Sequence, residues 1–109
     1  MPNPFQRPPR KRFLDRPYPV ELALQYQIVP DGGVLDAGRG STVSISSIRV
    51  RFKSTHLIPV GLKIEAWVEW PVRLHSILPL RLYIHGETVE TEDGCNVVRI
   101  LYHEFHISK

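Results

Sequence analysis

Over most of its length the chain alternates apolar and polar residues one by one, and that period admits strands and little else. Val20, Leu22, Leu24, Tyr26 and Ile28 are interleaved with Glu21, Ala23, Gln25 and Gln27. Leu62, Ile64, Ala66, Val68 and Trp70 are interleaved with Lys63, Glu65, Trp67 and Glu69 and stop at Pro71, and Leu80, Leu82 and Ile84 repeat the theme up to Gly86. Successive strand residues point to opposite faces, so each run buries one face and wets the other. No segment carries the 3.6-residue period of an amphipathic helix. Five to seven such strands, punctuated by glycine-rich turns such as Asp31-Gly32-Gly33, predict an all-β barrel.

The alternation changes phase at two places. Val43 and Ile45 are expected to face inward, followed by Ile48, Val50 and Phe52, with Arg49, Arg51 and Lys53 outward. The inward set passes from odd to even positions, so the ladder is expected to break around Ser46-Ser47. Val89 falls out of phase after Gly86, which predicts a bulge or sharp bend there. Residues 97–107 read as a final strand pair, or as one strand with a short tail.

At 109 residues the chain is one domain by length, able to bury roughly 60–70% of its unfolded surface. Its net charge of +3 hides an uneven distribution. Residues 1–16 hold Arg7, Arg10, Lys11, Arg12 and Arg16 against Asp15 alone, and the rest of the chain has slightly more acids than bases. Pro2, Pro4, Pro8, Pro9 and Pro17 lie in the same stretch. Such a composition packs no core, so residues 1–17 are read as a flexible basic arm and residues 18–109 as the barrel. Charge concentrated on an arm suits a local anionic target better than a body-wide nucleic-acid surface.

Cys95 is the single cysteine, which precludes an intrachain disulfide and fits a reducing compartment. Pro17, Pro19, Glu21 and Gln25 interrupt the stretch after the basic leader, and no apolar run approaches the roughly 18 residues of a membrane span. The expectation is a cytoplasmic protein without membrane insertion. No nucleophile elbow, phosphate loop, dinucleotide fingerprint or HExxH pattern is present, so the chain reads as a binding module and not an enzyme, and no cofactor is called for. Asp31, Asp36, Glu87, Glu90, Glu92 and Asp93 fall at turns or exposed strand positions, where acids serve solubility. His103 and His106, three apart on a strand, face opposite sides and do not make a metal site.

Two short motifs carry the chemistry. Arg12 and Arg16 form an Arg-x-x-x-Arg just before the first strand, with Arg10 and Lys11 beside them. A guanidinium offers a planar fork of donors that matches a phosphate or the O6/N7 edge of guanine. About thirty residues downstream, Ser44-Ile45-Ser46-Ser47-Ile48-Arg49 lies at the expected ladder break. Together, over residues 10–107, these motifs, the apolar strand after the second and the Pro59-Val60-Gly61 step resemble the PilZ family, bacterial receptor domains for the second messenger cyclic di-GMP.

That resemblance implies a six-stranded antiparallel split β-barrel that binds cyclic di-GMP, orders its arm on binding and signals to a protein partner. It also implies a ligand site made of Arg10, Arg12, Arg16, Ser44, Ser46 and Arg49. The family's second motif reads Asp or Asn, any residue, Ser, two of any residue, then Gly. Ser46 matches its serine, but Ser44 replaces the acid or amide and Arg49 replaces the glycine. A serine cannot make the two-point contact of a carboxylate or amide, a loss of about 1–3 kcal/mol in base discrimination. For Arg49 three roles are open: a strained position costing roughly 1–2 kcal/mol if φ must be positive, a new phosphate contact, or a solvated member of the row with Arg51 and Lys53. The alternative function is a PilZ-type interaction module that no longer binds the nucleotide and works through an exposed residue such as Trp67. A third reading, a small barrel holding single-stranded nucleic acid on its basic arm, has only Trp67 and Tyr83 for a stacking platform.

Overall fold

The computed structural model describes residues 16–29 and 33–108. Among them are seven strands and no helix: β1 (Tyr18–Pro19), β2 (Ala23–Ile28), β3 (Asp36–Ile45), β4 (Arg49–Ser54), β5 (Lys63–Leu74), β6 (Leu78–Glu92) and β7 (Cys95–Ile107). All pair antiparallel, in the order β1-β3-β2-β5-β6-β7-β4 with β3 also bonded to β4. That last pairing closes β2 through β7 into a six-stranded barrel, and β1 is one extra strand laid on the end of β3. The all-β barrel expected from the alternation is thus the fold. Among the described residues no helix is long and apolar enough to cross a membrane.

The interior is filled by the predicted inward faces of β2, β4, β5 and β6, joined by Val98 of β7, a strand for which no inward face was expected. Leu24, Tyr26 and Ile28 of β2, Val50 and Phe52 of β4, Ile64, Ala66 and Val68 of β5, Leu82 and Ile84 of β6 and Val98 of β7 form one buried cluster. Burying a large apolar side chain of this kind contributes about 1.5–3 kcal/mol. Leu22, Ile45 and Trp70 pack against the cluster from its rim, whereas Val20 lies outside β2 and is only half-buried. Tight strand approach needs glycine at Gly40 and Gly86. A Cβ on Gly40 would collide with the Lys53 carbonyl oxygen, and one on Gly86 would sit 2.5 Å from that of Arg99.

The phase break in β3 is real but lies elsewhere than expected. Thr42 faces Phe52 and Ile45 faces Val50 across the ladder, with a register shift between Thr42 and Ser44. The extra residue is therefore Val43, and Thr42, not Val43, fills the inward place before the break. The reason is a backbone requirement that apolar periodicity does not register. Between β1 and β2 the chain leaves the ladder, and the Thr42 hydroxyl replaces the missing bonds by accepting from Leu22 N at 2.8 Å and donating to Val20 O at 2.6 Å. Ser46-Ser47 instead belongs to the β3–β4 hairpin turn, closed by Ser46 N donating to Arg49 O at 2.8 Å.

The bulge expected at Val89 is present as a register shift between Thr88 and Glu90. Residues 97–107 lie in the single strand β7, which carries a second shift where Tyr102 opposes His85 but Ile100 opposes Gly86. The Pro59-Val60-Gly61 step is a turn with Gly61 at φ +94°, held because the buried Thr88 hydroxyl donates to Pro59 O and accepts from Leu62 N. Buried Asn96 does the same for the loop after β4, accepting from Ile58 N at 2.8 Å and donating to Ser54 Oγ at 2.8 Å.

Candidate functional site

Antiparallel register places four side chains in a row across the outside of the barrel. Ser44 of β3 opposes Arg51 of β4, Arg51 opposes Val97 of β7, and Val97 opposes Glu90 of β6. Direct cross-strand partners share a face, and Val50, Phe52 and Val98 on the same strands point inward, so this row points out. Yet Val97 is 2% exposed and Ser44 only 7%. They are covered because Pro17, at the entry of β1, and the long side chains around them enclose a cavity of about 180 Å³ floored by Val97. Ser46, Arg49 and Glu92 complete its wall.

The cavity is polar and incompletely satisfied. Among the described residues, the buried side-chain polar atoms without a partner are Ser44 Oγ and Arg51 Nε, and both residues line it. Arg51 is held at its other end, where Nη2 meets Glu92 Oε1 at 2.7 Å. Buried polar atoms are almost always paired, so two orphans on residues that line one cavity mark a place where a polar ligand atom or water belongs. A larger cavity of about 310 Å³ lies between Gln25, Gln27, Arg39 and Trp67 on β2, β3 and β5, but neither orphan lines it.

The structure brings together part of the set singled out in the sequence. Ser44, Ser46 and Arg49 meet in the cavity, and Arg16 immediately precedes Pro17 on its wall. Arg10 and Arg12 lie outside the described residues. Ser46 is engaged by its own turn, its hydroxyl accepting from Arg49 N at 3.0 Å and Ile48 N at 3.3 Å. It shapes the rim and leaves Ser44 as the lining residue whose hydroxyl has no partner. Arg49 is not strained: among the described non-glycine residues only His75, Ser76 and Asp93 have positive φ. Arg49 is exposed, in the outward row of β4 with Arg51 and Lys53, and stands on the edge of the cavity.

Besides Pro17 and Val97, three charged lining residues lie outside the two sequence motifs. Arg51 was expected to be solvated, and Glu90 and Glu92 to serve solubility; all three face the cavity. The bulge at Val89 is the signal that could have found the acids, since it turns Glu90 out opposite Val97.

Trp67 packs 5.7 Å from Tyr83, centroid to centroid, on the outer face of β5 and β6. Tyr83 in turn stacks on His106 at 5.5 Å and meets Tyr102 at 6.2 Å, an aromatic band away from the Ser44 cavity. The Tyr83 hydroxyl donates to Glu65 at 2.5 Å, and burial together with that carboxylate pushes its pKa up to about 12. No protein-family model, curated protein or solved structure matches the chain.

Proposed function

We propose that this protein is a PilZ-type receptor module that binds cyclic di-GMP in the cavity beside the β3–β4 turn. The observation that supports the reading is that Pro17, which follows Arg16 in sequence, shares one cavity wall with Ser44, Ser46 and Arg49, and that two residues of that wall, Ser44 and Arg51, carry unpartnered polar atoms. Arg12 and Arg16 grip phosphate and guanine from the arm, Arg10 adds attraction, Ser44 meets a guanine edge and Arg49 meets a phosphate. Drawing the arm onto the barrel changes the surface beside β1 and β3, and a protein partner reads that change. No chemical step is involved, and the ligand leaves unaltered.

The aromatic band of Trp67, Tyr83, Tyr102 and His106 favours a second reading, an interaction module without nucleotide binding. Calorimetric titration decides between them. Saturable heat with cyclic di-GMP, and none with GTP, GMP or an oligonucleotide, supports the receptor. No heat from a protein shown to be folded leaves the interaction module.

A further inference from the structure

We infer that the cavity seats a single guanine base over Val97, with Arg51 and Glu90 reading its opposite edges; the inference rests on the receptor reading above. Across the sheet the row presents a hydroxyl at Ser44, an unpartnered N–H at Arg51, an apolar floor at Val97 and a carboxylate at Glu90. Glu92 grips the far end of the Arg51 guanidinium and fixes its orientation. Glu90 has no ion pair or hydrogen bond among the described residues. Guanine carries acceptors, O6 and N7, on one edge and donors, including its exocyclic amine, on the other. A base lying on Val97 with O6/N7 toward Ser44 and Arg51 turns its donors toward Glu90.

Charge argues for a base here and against a phosphate. Arg49 and Arg51 are matched in the same cavity by Glu90 and Glu92, so it offers an anion no net attraction. The phosphates are left to the arm, where the basic surplus lies, and to Arg49 on the exposed edge of the cavity. Adenine fits poorly, because its amino group would oppose the Arg51 N–H, donor against donor. Glu90 thus supplies, from β6, the carboxylate that position 44 lacks on β3.

The test compares cyclic di-GMP, its hypoxanthine analogue lacking the exocyclic amine, and cyclic di-AMP by calorimetry on the wild type, Glu90→Ala, Glu90→Gln and Arg51→Lys, each checked for folding by circular dichroism. Wild type should prefer the guanine ligand over the hypoxanthine one by about tenfold, and Glu90→Ala should bring that ratio close to one. Glu90→Gln, which keeps one acceptor, should fall between. Arg51→Lys should weaken the guanine ligand by about tenfold and narrow its lead over cyclic di-AMP. Cyclic di-GMP binding with an unchanged base preference in Glu90→Ala overturns the inference and leaves the receptor standing. No binding of cyclic di-GMP by the wild type removes both.

Discussion

Ser44 is a small residue in a buried place with its hydroxyl unpartnered, an arrangement that stability alone does not explain. Removing an unsatisfied polar atom costs the fold little, so Ser44→Ala should melt at or above the wild-type temperature while binding cyclic di-GMP more weakly. A lower melting temperature with unchanged affinity would place Ser44 in the packing and outside the site. Ser44→Asn should restore a two-point contact and tighten binding by about 1–3 kcal/mol in calorimetry. Because Arg49 has no positive φ to relieve, Arg49→Gly should only remove charge and weaken binding. Away from the cavity, Tyr83 makes the fold sensitive to alkali. Its folded pKa of about 12 lies above the ordinary 10.0, through burial first and the Glu65 carboxylate second. The folded state holds the proton more tightly, so this stabilisation is complete below pH 10 and is lost as pH rises toward 12. Urea midpoints across that range should fall less steeply in Tyr83→Phe than in wild type.

The strands owe their existence to alternation, but their joints depend on polar side chains that alternation does not reveal. Thr42 stitches the gap between β1 and β2, and Thr42→Val, with similar volume and no hydroxyl, should lose about 1–3 kcal/mol in chemical denaturation by leaving Leu22 N unpaired. At Gly86 an alanine would press its Cβ onto the backbone of β7, and a cost of about 1–3 kcal/mol is expected from the required strand shift. The inward faces of β2, β4, β5 and β6 were legible because each strand's own residues declare them. The Val89 bulge was legible for the same reason. The place of the β3 bulge was not, because it depends on a hydroxyl contact between residues twenty positions apart. Three of the eight lining residues, Ser44, Ser46 and Arg49, were legible. Arg51, Glu90 and Glu92 were hidden because their meeting requires the register of β4, β7 and β6, which no single strand encodes.

At the scale of the whole molecule, charge and shape divide the work. The barrel and its charge-balanced cavity provide shape for a base, and the basic surplus of the sequence lies in residues 1–16, which lead into Pro17 on the cavity wall. Arg12→Ala and Arg16→Ala should each weaken cyclic di-GMP binding by roughly tenfold or more, as expected for charge-assisted hydrogen bonds, and amide exchange over residues 1–16 should slow when the ligand is added. Equal affinity in wild type and both variants would remove these arginines from the site. The most direct test of a site between arm and barrel is a titration of the isotope-labelled protein with cyclic di-GMP, followed residue by residue through its amide NMR signals. The shifts should concentrate on residues 16–20, 43–51 and 90–97. Shifts confined to the band around Trp67, Tyr83 and Tyr102, or none at saturating ligand, would contradict it.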